Sequence, residues 1–186
     1  MKKFILSLGC LCLLALSGSL AWADGDAPVA GPGPRLGIEG GINLANFNGQ
    51  NVNDVIASRL GFVGGALLEL PLGPTLSFQP EILYEQKGGK YNGSPYQLNY
   101  VEVPILLNIT LIGPLGILLG PSFDATVFNS GLNNVNNGEI SLVGGLQMNL
   151  AQFLVSGRYE AGLTNVTTTQ GFQNGTFTLL VGLLFI

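Results

Sequence analysis

Seven ionisable side chains stand at spacings that could support chemistry: Glu39, Glu69, Glu81, Glu102, Asp124, Arg158 and Glu160. Two carboxylates held together can share a proton or divide acid and base roles, and Glu81 with Glu102 is the pair on neighbouring segments that could do so. The residue that usually completes such a device is missing, because the chain contains no His. A Ser–His or Cys–His nucleophile is therefore excluded. A simpler reading gives these acids an inward position, compensated by Arg158, Arg35 and Arg59 or bridged by water. Catalysis is not expected.

What places these groups is an alternation of period two. Leu36, Ile38, Ile42 and Leu44 alternate with Gly37, Glu39, Gly41, Asn43 and Ala45, and Leu60, Phe62, Ala66, Leu68 and Leu70 with Gly61, Gly65 and Glu69. Successive side chains of a strand point to opposite faces, so each run has one apolar and one polar face. The pattern predicts strands over Arg35–Ala45, Arg59–Leu70, Thr75–Lys87, Gln97–Thr110, Leu115–Phe128, Gly138–Met148, Phe153–Thr164 and Thr176–Phe185. Each is long enough to cross a hydrocarbon layer, which takes about 9–11 tilted residues.

The apolar face carries large aliphatic and aromatic residues, and the other carries Gly, Ser, Asn, Gln and Glu. All seven ionisable residues fall on the polar face. Outward positions include Val101, Val103, Ile105, Leu107 and Ile109 on strand four, and Phe153, Val155, Tyr159, Ala161 and Leu163 on strand seven. A charge facing lipid at mid-depth costs about 2–4 kcal/mol for a basic residue, which accounts for the strict parity. A soluble barrel would reverse the faces. Phe62, Tyr84, Phe128, Phe153, Tyr159 and Phe185 fall where interfacial girdles would lie.

The punctuation sets the topology. Short turns are read at Pro71–Pro74, Leu111–Pro114 and Asn149–Gln152, and long Asn- and Gly-rich loops at Asn46–Ser58, Gly88–Tyr96, Asn129–Asn137 and Asn165–Asn174. Three short turns and four long loops join eight strands. The expected fold is all-β, an eight-stranded antiparallel up-and-down transmembrane β-barrel over residues 35–186, with short periplasmic turns and longer external loops. Val103–Phe123 is uncharged for 21 residues and imitates a membrane helix, but Pro104, Pro114 and Pro121 break that reading. Pro80, Pro104 and Pro121 fall inside strands at similar heights, where bulges or broken pairing are expected. Inward glycines (Gly37, Gly41, Gly61, Gly65, Gly116, Gly120, Gly145, Gly162) suggest a water-filled cleft. Eight strands leave room for packed side chains or one small ligand.

At the N-terminus, Lys2 and Lys3 precede an apolar run from Phe4 to Leu20 and the small-x-small sequence Ala21-Trp22-Ala23, the form of a signal peptide over 1–23. A lipid anchor on Cys10 or Cys12 fits worse, since the apolar run before Cys10 is too short and Leu11 is too large. Residues 24–34, rich in Pro and Gly, read as a flexible periplasmic lead-in. The processed chain of 163 residues would hold no Cys, hence no disulfide or Cys/His metal site, and 5 basic residues against 11 acidic ones. That acidity excludes nucleic acid as a partner. No cofactor is implied.

Several segments carry a family resemblance: Gly40-Gly41-Ile42-Asn43-Leu44-Ala45-Asn46, Arg59-Leu60-Gly61-Phe62, Leu68-Glu69-Leu70-Pro71, Phe78-Gln79-Pro80-Glu81-Ile82-Leu83-Tyr84, Gln86-Lys87-Gly88, Leu98-Asn99-Tyr100-Val101-Glu102-Val103-Pro104, Gly120-Pro121, and Arg158-Tyr159-Glu160-Ala161-Gly162-Leu163-Thr164-Asn165. In this order the chain resembles the PorT-like outer-membrane β-barrel family. The resemblance implies an eight-stranded barrel in the outer membrane of a Gram-negative bacterium. PorT itself is associated with secretion and gliding, a task not carried over with the fold. Expected partners are outer-membrane lipids and, during biogenesis, the barrel-insertion machinery. The expected state is monomeric and the expected role structural or surface-interacting, with a narrow channel or small-ligand barrel as the competing reading. The apolar alternation Phe177, Leu179, Val181, Leu183, Phe185 resembles the terminal insertion signal, displaced by Ile186. Export of the intact precursor should give a mature protein beginning at Asp24, which N-terminal sequencing of the membrane-extracted protein checks.

Overall fold

A computed structural model describes residues 33–49, 57–91, 94–130, 138–164 and 172–185; the signal-peptide reading, most of the lead-in, Ile186 and parts of the long loops lie outside them. Eight strands follow one another: β1 (Arg35–Gly49), β2 (Ala57–Pro71), β3 (Leu76–Tyr91), β4 (Ser94–Ile112), β5 (Leu115–Ser130), β6 (Gly138–Leu150), β7 (Phe153–Gly162) and β8 (Phe172–Phe185). Each pairs antiparallel with the next, and β1 pairs with β8 to close the barrel. No helix among the described residues is long and apolar enough to cross a membrane. The fold is the expected eight-stranded antiparallel barrel.

The parity read from sequence separates the two faces. On β1, Leu36, Ile38, Ile42 and Leu44 are exposed, while Glu39, Asn43 and Ala45 are buried. On β7, Phe153, Val155 and Tyr159 face out and Leu154, Ser156, Arg158 and Glu160 face in. The six aromatics assigned to the girdles all lie on the outer wall. Phe153 and Phe185 sit beside the turns, and Phe62, Tyr84 and Phe128 toward the loop ends.

Two expectations need correction, and a third is borne out. The strands run further into the loop end than the apolar alternation did, most of all in the β3–β4 hairpin. There Gly88–Tyr96 was read as a loop, yet pairing continues through Lys90↔Pro95 to Tyr91↔Ser94. Only Asn92-Gly93 lies between, the dipeptide that favours a two-residue hairpin turn. Above the membrane a strand needs no apolar face, so its pattern fades while its hydrogen bonds persist.

The expectation for the prolines holds: pairing is locally broken at each. It skips Pro80 between β2 and β3, Pro104 between β3 and β4 and Pro121 between β4 and β5, and it resumes without a shift of register. Pro80 lies opposite Ile105, Pro104 opposite Ser122 and Pro121 opposite Leu142, so the three do share one level of the wall. Between β3 and β4 the pairs pass from Pro80↔Ile105 to Leu83↔Glu102, skipping the stretch that holds Pro104 and resuming in frame. The shifts occur elsewhere, between Ser58 and Val63 on β2 and at Asn99/Tyr100 and Thr110/Ile112 on β4. A missing N–H deletes one ladder bond but does not require an extra residue.

The second correction concerns the inward glycines, which do not open a cleft. A Cβ on Gly41 would fall on the Leu179 carbonyl of β8, and one on Gly120 on the Ile105 carbonyl of β4. At these points the neighbouring backbone occupies the space a side chain would need. The glycines let a small barrel bend tightly.

Spin labels walked from Val101 to Ile109 in reconstituted vesicles should show oxygen accessibility rising at odd positions and falling at even ones. A flat profile would contradict the assignment of faces.

Candidate lumenal charge network

The barrel interior is the place where ionisable groups converge. Inward positions are not all polar, as the alternation suggested. Three apolar clusters, Leu67/Leu154/Leu184, Leu106/Leu118/Val143 and Val63/Leu83/Leu180, fill part of the lumen. Parity assigns a side chain to a face but says nothing of its polarity, and a barrel this narrow can pack its axis with leucine.

Three charged groups share the remaining space. Arg158 on β7 reaches across to Glu81 on β3 at 2.5 Å and Glu39 on β1 at 3.2 Å. Its Nε donates to Ser156 Oγ at 3.1 Å. Gln79 donates to Glu81 at 2.7 Å and exchanges a bond with Gln147 of β6 at 3.2 Å. The guanidinium thereby ties three strands through one fork, the geometry for which Arg is suited.

One inward step further toward the loop end on β7 lies Glu160, part of a second group. Lys87 Nζ sits 2.7 Å from Glu160, 2.9 Å from Glu85 and 3.4 Å from Asp124. The Tyr100 ring centroid is 5.2 Å from the same ammonium. Ser141 donates to Glu160 at 2.7 Å, Ser122 to Glu102 at 2.8 Å and to Asp124 at 3.2 Å, and Asn43 to Glu85 at 2.6 Å. A smaller pair, Arg35 to Glu69 at 2.8 Å with Ser77 at 3.3 Å, closes the turn end.

The structure thus places Glu39, Glu69, Glu81, Glu102, Arg158 and Glu160 on the inner face, all buried, and distributes them among three groups. Glu81 and Glu102 do not work as a pair: Glu81 is bound to Arg158, and Glu102 belongs with Ser122 and the Lys87 layer. Arg59 has no described side chain, so its role as a compensating cation lies outside the described residues.

Sequence reasoning missed Lys87, Glu85, Gln79 and Gln147. The signal was available for three of them. Gln79, Glu85 and Lys87 share odd parity with Glu81 on β3.

Among the described residues, Glu85, Glu102 and Glu160 offer carboxylate oxygens within 4.8 Å of one another, a spacing a metal ion could use. The Lys87 ammonium already stands against two of the three. A metal ion would have to displace it, so the lysine serves as the resident cation.

A closed ring of membrane-crossing strands with an apolar exterior and a charged, packed interior defines a transmembrane β-barrel of the outer-membrane type. The chain belongs to the family described as outer membrane protein beta-barrel domain, whose profile matches residues 33–168. No curated protein sequence matches it. Among solved structures it is similar to Neisserial surface protein A (TM-score 0.57, 14% identity, 81% of this chain and 97% of that one). It is also similar to Ail, the attachment invasion locus protein of Yersinia pestis, solved with the heparin analogue sucrose octasulfate (TM-score 0.51, 16% identity, 83% of this chain and 100% of that one). At these identities the likeness establishes the fold. The chain is a bacterial outer-membrane protein that crosses the bilayer with strands.

Replacing Lys87 with Met should destabilise the barrel by about 3–5 kcal/mol, because it leaves buried carboxylates uncompensated. Arg35→Met, at a partly exposed pair, should cost no more than about 1 kcal/mol. Urea unfolding in lipid vesicles, followed by the heat-dependent gel mobility of folded barrels, measures both.

Proposed function

We propose that this protein is a non-catalytic outer-membrane scaffold, exported by its signal peptide, inserted by the barrel-assembly machinery as a monomer, and acting through the surface it presents rather than through its interior. The observation that carries this reading is the lumen. Cross-barrel pairs from Lys87 and Arg158 and three apolar clusters occupy it, so that among the described residues the lumen is packed with side chains. The absence of His and the separation of Glu81 from Glu102 support a role without catalysis.

A surface-interaction task is consistent with the names of the two similar proteins, a surface protein and an attachment protein. The sulfated ligand in the Ail structure fits this chain poorly. Beyond residue 23 its basic residues are Arg35, Arg59, Lys87, Lys90 and Arg158. Arg35 lies at the turn end, and Lys87 and Arg158 are buried in the lumen. Arg59 and Lys90 lie near the loop ends of β2 and β3, and their side chains are outside the described residues. Amide-rich loops with few charges favour a neutral partner over a polyanion.

The PorT-like segment pattern supports a finer reading, a branch of Gram-negative barrels linked to secretion. Secretion or gliding components encoded beside this gene would carry that reading from fold to task.

In planar bilayers the purified barrel should give no resolved conductance steps above background. Stable steps would overturn the closed-lumen reading in favour of a narrow channel.

A further inference from the structure

We propose that the turn end of the barrel is seated within the inner leaflet of the outer membrane, its turns acting as lipid anchors rather than as a platform in periplasmic water. No charged residue occurs in any of the three connections, Leu72-Gly73-Pro74-Thr75, Gly113-Pro114 and Ala151-Gln152, or in Leu111 and Ile112 just before the second. Four large aliphatic side chains stand open around this rim. Ile112 is 81% exposed, Leu72 61%, Leu111 51% and Leu150 48%. Water-facing turns are normally built from polar residues, yet here large aliphatics stand open at all three connections.

The backbone of the rim is prepared for a dry setting. Leu72 N–H donates to Leu76 O at 2.8 Å, and the carbonyls of Thr75, Pro114 and Gln152 accept from Thr110 (2.8 Å), Asn149 (2.9 Å) and Leu184 (2.7 Å) on adjacent strands. Each connection is thereby laced to the strand beside it. Backbone groups near hydrocarbon need such internal partners, since lipid offers none.

The occupant follows from continuity with the wall. Leu107, Ile109 and Leu111 on β4, with Ile117 and Leu119 on β5, are exposed and lead without interruption to Ile112. The surface that meets lipid therefore does not stop above the turns. Phospholipid, glycerol region and upper acyl chain, is the partner that fits.

The test uses the full chain carrying Trp22→Phe, which removes its single tryptophan. Ile112→Trp or Leu72→Trp then supplies one reporter on each of two turns, with Leu107→Trp as the mid-wall reference. In phosphatidylcholine vesicles brominated near the acyl carboxyl end, quenching of both rim reporters should come within about twofold of the reference, and aqueous iodide should have little effect. Folding is checked for each variant by gel mobility, and either rim reporter suffices if the other fails to fold. Rim reporters quenched by iodide and indifferent to bromine would overturn the proposal and leave the rim wet, available to a soluble periplasmic protein.

Discussion

Hydrocarbon offers no hydrogen-bond partner, so a β structure can cross it only by satisfying every backbone N–H and C=O within itself. The β1–β8 ladder is what achieves this, running from Leu36↔Phe185 to Gly49↔Phe172. Without it the sheet would present two unpaired edges to lipid, each unsatisfied group costing several kcal/mol. Closure also fixes what each side chain meets. Once the sheet is a tube, alternate residues meet either lipid or lumen, and a slip by one residue would exchange Arg158 for Tyr159 on the inner face. The strict parity of the sequence follows from that penalty.

Closing a ring with only eight strands raises a second problem, curvature. The wall bends until neighbouring backbones approach the inner face of Gly41 and Gly120 closely enough to exclude a methyl group. The narrow interior that results must then be filled, since voids forfeit packing contacts. Leucines fill part of it, and the polar remainder is stitched by cations that reach across the axis. Lys87 joins β3 to β5 and β7, and Arg158 joins β7 to β1 and β3. These contacts between strands that are not neighbours supply what a ladder cannot, resistance to flattening of the ring.

The architecture was legible because lipid imposes one rule on every strand. Strand number, antiparallel order and the outer residues could all be read from alternation and turn residues. The lumen was legible only by face. Glu81 and Glu102 shared a parity, but which cation each would meet depends on reach across the axis, a relation set by barrel tilt and not by spacing along the chain. Strand ends were hidden for a related reason: past the membrane surface, as at Lys90 and Tyr91, the apolar signal disappears while pairing continues. The inward glycines misled because a missing side chain reads as vacant space, whereas the neighbouring strand had moved in to occupy it.

A locked interior also limits where this protein can act. Cross-lumen pairs hold the loop-bearing ends of β3, β5 and β7 at set separations, so loops attached there inherit a rigid frame at no cost to their own sequence freedom. The loop sequences carry Asn, Gly, Gln, Ser and Thr with few charges, so they exert little long-range attraction. Of the basic residues beyond the leader, the barrel spends Lys87 and Arg158 on its own acids and Arg35 on Glu69. Internal charge compensation and external neutrality are thus linked: a barrel that uses its cations to hold its lumen together has few left with which to attract an anionic ligand.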